Sequence, residues 1–144
     1  MGIGAGRRTS ARVSRDGRWL VYVSDESGRD EVYAQAFPGL GRKVQISVAG
    51  GSEPVWHPRG GEIVYRAAGS RDFMSVTVQA GEALVPQAPR VLVSDAGMSR
   101  GSADHTEYDV ALDGRLLAVE EASTDRHIAL HIILGWAQAA VLLP

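Results

Sequence analysis

Cysteine is absent from this chain, which excludes a disulfide framework, thiolate zinc sites and cysteine nucleophiles together. Lysine is almost absent as well. Lys43 is the only one, and the remaining basic residues are arginines interspersed with the acidic ones. With a formal net charge of −2, the sequence lacks the basic face that nucleic acid requires, so no nucleic-acid partner is expected. Long apolar runs are missing too. The most apolar segment, Ile128–Leu143, covers 16 residues and is interrupted by His131, Gly135 and Gln138. That falls short of the ~20 residues that cross a bilayer, so no membrane span is expected here. The opening M-G-I-G-A-G-R-R has no apolar core of signal-peptide length, and any export signal is expected upstream of it. Gly2, Gly4 and Gly6 do not make a phosphate loop, because no strand precedes them and no amphipathic helix follows. Residues 1–8 therefore read as a flexible leader.

What is present is enough for one ordinary domain. The chain has 144 residues, 44% hydrophobic and 22% charged, which are the proportions of a folded globular protein. From Thr9 onward its periodicity is that of strands. Val13–Ser24 reads V-S-R-D-G-R-W-L-V-Y-V-S: a strand, a turn on Asp16-Gly17, and an apolar strand. Asp-Gly between apolar runs predicts a two-residue hairpin with positive φ at both central positions. Trp19–Val23 is continuously apolar, which predicts a strand covered on both faces. Glu31–Phe37 and Lys43–Val48 alternate, completing a four-stranded antiparallel meander.

The phrase returns twice, as W-H-P-R-G-G-E-I-V-Y-R-A at Trp56–Ala67 and as V-A-L-D-G-R-L-L-A-V-E at Val110–Glu120. Ala49-Gly50-Gly51 links to the second copy. Its predicted strands are Glu53–Trp56, Glu62–Ala67, Phe73–Val78 and Arg90–Val93, with a proline-bearing connection over Gln79–Pro89. The third copy is predicted at Tyr108–Val110, Leu116–Glu120 and Ile128–Ile133. No fourth strand is expected there; Gly135–Leu143 reads as a short apolar helix ending at Pro144. Asp16 and Arg59 lie 43 residues apart, and Arg59 and Asp113 lie 54 apart. Four strands repeating every ~40–45 residues mark the blade of a β-propeller. A β-sandwich is the structural rival, but it does not require the same turn phrase three times at this spacing.

These residues resemble the TolB-like, WD-repeat-like propeller family, whose blades carry a phrase near W/F-S-P-D-G-x-x-I-x-Y/F-x-S followed by a D-I/V-Y strand. S-R-D-G-R-W-L-V-Y-V-S at Ser14–Ser24 and D-E-V-Y at Asp30–Tyr33 fit it. The second copy keeps Trp56, Pro58, Gly60 and Tyr65, with His57 and Arg59 in place of Ser and Asp. The third keeps Tyr108, Asp113 and Gly114 but has Ala111 and Leu112 for Ser and Pro. The resemblance covers about Thr9 to Leu134. Its order also resembles the C-terminal end of propellers that follow bacterial serine/threonine kinase domains, although L-G-W-A-Q-A-A-V-L-L-P departs from the helix those proteins carry.

The resulting expectation is an all-β, partial propeller of four-stranded antiparallel blades. Blades fall at 9–48, 49–93 and an incomplete 94–134, with a helical tail at 135–144. Six blades need roughly 240–270 residues, so this is about half a ring and the C-terminal part of a larger protein. Apolar faces and strand edges left open favour self-association, and the expected partners are other proteins or the missing blades. The resemblance implies a non-catalytic recognition role and a periplasmic or extracytoplasmic location. Its alternative is the accessory propeller lobe of a prolyl-oligopeptidase-like hydrolase.

Candidate chemistry is sparse. Gly97-Met98-Ser99-Arg100-Gly101 is a literal G-x-S-x-G, and Asp113 or Asp125 with His127 or His131 preserves the order acid then His. A nucleophile elbow also needs a helix after the serine, and Ser102–Thr106 reads as loop. Esterase activity at Ser99 is therefore the minor reading, to be tested with Ser99→Ala. His127 and His131 stand four apart near His105 and Asp125, a spacing that a metal could use. Asp25, Glu26, Asp30 and Glu31 offer oxygens for calcium without the spacing of a calcium loop. Kinase phrases are absent. The expectation is no catalytic residue, no cofactor and no metal, with Trp19, Trp56 and Tyr65 packing between blades.

Overall fold

A computed structural model describes residues 6–39, 41–94, 105–120, 129–133 and 141–142. They form three antiparallel sheets in chain order and, among the described residues, no helix. The first sheet runs β1 (Arg8–Val13), β2 (Trp19–Ser24), β3 (Glu31–Ala36) and β4 (Lys43–Gln45). The second contains β5 (Gly51–Trp56), β6 (Glu62–Ala67) and β7 (Phe73–Ala80), with both β8 (Leu84–Pro86) and β9 (Arg90–Val93) pairing β7. The third runs β10 (Tyr108–Val110), β11 (Leu116–Glu120), β12 (Ala129–Ile133) and β13 (Val141–Leu142).

The repeated turn closes each first hairpin, but not as a two-residue loop. Ser14 N–H donates to Trp19 O (2.8 Å) and Gly17 N–H to Ser14 O (2.9 Å). Gly17 has φ 72°, while Asp16 is not in the positive-φ region. Asp16 instead accepts from the Ser14 hydroxyl (2.6 Å) and the Arg18 N–H (3.1 Å). These two hydrogen bonds, the Ser14 one foremost, hold its carboxyl below the usual value. Asp is favoured here because its side chain caps the turn, not because it adopts a left-handed backbone. The same inner bond recurs from Gly60 N–H to His57 O (2.8 Å) and from Gly114 N–H to Ala111 O (2.9 Å).

The sheets stack through alternating side chains, as strand geometry requires. In β6, Ile63 and Tyr65 pack on the first sheet with Trp19, Val21, Val23, Val32, Ala34 and Ile46. Val64, between them, points to the opposite face and joins Val55, Phe73, Tyr108, Val110, Leu116 and Ala118 against the third sheet. The second sheet is thus the filling of the stack. Each fully buried Val, Ile or Phe contributes about 1.5–3 kcal/mol, so these two layers, more than the ladder bonds, hold the sheets together.

Trp19–Val23 is covered on both faces as its composition predicts, although the second cover is not a sheet. Tyr22 is 2% and Tyr33 5% exposed on the outer side of the first sheet. The Arg8 guanidinium lies 5.7 Å from the centre of the Tyr22 ring and the Lys43 ammonium 4.9 Å from that of Tyr33. Glu26 pairs with both cations. Two cation–π contacts bridged by one carboxylate therefore close this face.

Other expectations are corrected too. Val141–Leu142, placed in a terminal helix by the sequence reading, forms β13 and pairs β12 antiparallel, His131 opposite Leu142 and Ile132 opposite Val141. The third sheet thereby gains the fourth strand it was expected to lack; residues 134–140 lie outside those described. An apolar V-L pair beside an open strand edge pairs with it whatever its helix propensity. Within Gln79–Pro89, β7 continues to Ala80 and folds back as β8. β4 ends at Gln45 instead of Val48, because the N–H groups of Ile46 and Ser47 both turn to Val32 O (2.8 and 3.3 Å). β1 starts at Arg8, inside the expected leader, where Arg7 N–H donates to Asp25 Oδ1 (2.7 Å).

Candidate functional site

The first strands of the three sheets run side by side, since β1 and β10 both approach β5. Two of these strands carry a one-residue bulge at equivalent places. The pairing of β1 with β2 slips between Thr9 and Arg12, and that of β5 with β6 between Ser52 and Val55. Ser10 (φ 54°) and Glu53 (φ 53°) sit in those bulges with left-handed backbones that non-glycine residues seldom adopt. The bulge re-aims Glu53, which is 2% exposed.

Around Glu53 the sheets are tied by polar bonds. Glu53 Oε2 accepts from the Glu107 N–H (3.3 Å). The Tyr108 hydroxyl reaches two carbonyls of the second sheet, Glu53 O and Val64 O, the latter at 3.0 Å. Its ring meets Phe73 edge to face at 5.0 Å, and the Arg66 guanidinium stacks 4.1 Å over the same Phe73. Burial first, and the neighbouring Glu53 second, push the Tyr108 phenol well above its ordinary value. On the other interface the Trp56 indole donates to Arg12 O (3.1 Å).

A cleft of about 350 Å³ opens between β1 and the third sheet, lined by Arg12, Thr106, Glu107, Tyr108 and Asp109 with the strand Leu117–Val119. Arg12 and Asp109 are exposed, and Tyr108 forms the buried floor. Alternation along β10 produces this arrangement, because Asp109 stands between the inward Tyr108 and Val110. The cleft offers one cation, Arg12, and two carboxylates, Glu107 and Asp109, while the Tyr108 hydroxyl is turned away to the Glu53 and Val64 carbonyls. Such a set suits recognition of a polar or charged group by complementary charge.

The sequence-derived candidates do not converge on it. Asp25, Asp30, Glu26 and Glu31 are taken up by cations and backbone: Arg7 donates to Asp25 through its N–H and to Asp30 through its guanidinium, Arg8 and Lys43 pair with Glu26, and Arg29 Nε lies 2.6 Å from Glu31. Glu31, 1% exposed, also accepts from Ser47 Oγ and from the Gly50 N–H (3.0 Å). Among the described residues no group of three or more potential metal ligands gathers. Ser99, Asp125 and His127 lie outside the described residues; His131 has its backbone on β12, and His105 is exposed. Trp19, Trp56 and Tyr65 do pack between the first two sheets. The sequence reading missed Arg12, Glu53, Glu107 and Asp109. An available signal was Tyr108, a large aromatic where the turn spacing places Ala11 and Pro54 in the other copies.

The chain matches no protein-family model, and no curated protein matches it. Its fold matches the solved structure of a gluconolactonase from Xanthomonas campestris, described as important in glucose secondary metabolic pathways. The TM-score is 0.61 at 14% identity, covering 90% of this chain and 46% of that one. The chain thus spans less than half the length of that protein, and the likeness concerns the fold alone. Three stacked antiparallel sheets aligned to part of a propeller enzyme make this chain an all-β, propeller-like assembly.

Proposed function

We propose that this chain is a non-catalytic recognition module, part of a TolB-like propeller that binds protein or ligand partners through the cleft between β1 and the third sheet and the loops at the sheet ends. The observation behind this reading is where the buried polar groups are used. Glu31 accepts from the linker to the second sheet, Trp56 donates to β1, and Glu53 and Tyr108 join the second sheet to the third. A general acid, base or nucleophile must instead face a substrate with its reacting atom free. The exposed Arg12, and the Asp109 oxygen that does not accept from the Val110 N–H, remain for partners. Three sheets aligned to 46% of a propeller chain also leave room for further sheets, from a longer protein or a second copy.

Two measurements on the purified chain test this. Turnover of glucono-δ-lactone and of a simple ester, with and without divalent ions, is expected to equal the uncatalysed background. Saturable turnover abolished by Glu107→Ala, Asp109→Ala or Ser99→Ala overturns the non-catalytic reading. The solution mass from light scattering is expected to exceed that of one chain; a strict monomer with a cooperative melt removes association from the proposal.

A further inference from the structure

The hairpin formed by β7 and β8 reaches across to the first sheet, where Arg18 Nη2 donates to Gly81 O (3.0 Å). Between the hairpin and the end of the first sheet lies a second hollow of about 370 Å³. Trp19, Val44, Leu84 and Pro86 supply its apolar lining, and Arg42 and Glu82 contribute one charge of each sign from opposite walls. Both charged residues are exposed, and neither makes a hydrogen bond or ion pair among the described residues. Trp19 is 5% exposed, and its indole Nε1 is buried without an acceptor. Where the repeat continues, the position of Trp19 is held by Glu62 and Leu116, so this indole belongs to the first sheet only.

We infer that this groove binds a short zwitterionic ligand with apolar side chains, the chemistry of an apolar dipeptide. The proposal rests on the recognition reading above and names a ligand class for it. The volume falls at the low end of small-molecule sites, which are ~300–1,000 Å³ and mostly apolar with a few placed polar groups. The Arg42 guanidinium receives the ligand carboxylate as a charge-assisted pair, and the Glu82 carboxylate receives the ammonium group. Trp19 and Leu84 take the side chains.

The test uses the full chain, with leucyl-leucine as probe, followed by calorimetry and by the indole N–H resonances in proton–nitrogen correlation spectra. Saturable binding is expected, with one indole signal shifting. Arg42→Gln and Glu82→Gln, at exposed positions that leave the core intact, are each expected to weaken binding about tenfold. The dipeptide acetylated at its N-terminus and amidated at its C-terminus is expected to lose both contributions. No binding at millimolar leucyl-leucine overturns the proposal, and so does equal binding of the blocked dipeptide or of both variants. Turnover decides the non-catalytic reading independently, so a failure here and a failure there are distinguishable.

Discussion

Tyr108→Ala is expected to destabilise the fold by about 3–5 kcal/mol, the range for deleting a buried aromatic, and Tyr108→Phe by about 1–3 kcal/mol. The ring is 7% exposed and fills the interface of the second and third sheets, edge to face with Phe73. Alanine empties that space, and the sheets flanking it cannot close without breaking their own ladders. Phenylalanine keeps the packing and removes only the hydroxyl shared by Glu53 O and Val64 O. The Glu53 carbonyl sits at a bulge, where the ladder offers it no regular partner, so the lost donor is not easily replaced. Urea unfolding midpoints at unchanged slope measure both losses. A Tyr108→Ala loss under about 1 kcal/mol would show that the two sheets are held elsewhere. The pH dependence adds a second reading. Burial raises the folded phenol well above 10. Below pH ~10 both states are neutral and the contribution is complete; above it the unfolded phenol ionises first and stability falls as pH rises. Tyr65, pushed up to about 12 by burial, adds to the same slope. Tyr108→Phe is therefore expected to flatten the alkaline decline without abolishing it.

How much of this was legible in the sequence follows from the range over which each feature is encoded. The positions of the turns were legible because their residues are local, although Ser14, Asp16 and Gly17 close the first hairpin through their own bonds and not as the two-residue loop expected. The four-strand repeat was legible because apolar alternation and turn spacing recur along the chain. Even the two-sided burial of β2 is visible as the unbroken Trp19–Val23 run. The bulges were not legible. Glu53 carries a left-handed backbone that its residue type does not advertise, held by bonds from the third sheet. β8 and β13 were missed because each is a two- or three-residue strand whose pairing depends on a neighbour's open edge, not on its own pattern. The candidate cleft was hidden for the same reason, since Arg12 and Asp109 meet only once the sheets have stacked. The cationic cover on Tyr22 and Tyr33 needs Arg8 and Lys43 from opposite ends of a sheet, which composition alone reads as ordinary solvated charge.

The linker between the first two sheets gives the other large effect. Gly50→Ala is expected to cost about 2–4 kcal/mol, whereas Gly60→Ala costs about 1–2 kcal/mol. Both glycines have positive φ, 87° and 78°, so each alanine carries the strain of a conformation that L-residues avoid. They differ in what a side chain would meet. At Gly60 nothing lies within 4 Å, but at Gly50 a Cβ would sit 2.6 Å from the Ala68 Cβ. Ala68 cannot swing aside as a long side chain would, so the backbone must move. That movement reaches Glu31, whose buried carboxylate accepts from the Gly50 N–H, and Tyr65, which packs against the next residue at 2.8 Å from a Cβ built on Gly51. A shift at Gly50 therefore loosens a buried carboxylate and an inter-sheet tyrosine together, which is why its effect exceeds strain alone. Denaturant midpoints for the two variants, measured side by side, separate clash from strain. Equal losses would mean that the linker yields freely and that the first sheet is joined to the second by side-chain packing only. A larger loss at Gly50 identifies the Ala49–Gly51 crossing as a fixed joint, through which the Glu31 network sets the angle between the two sheets.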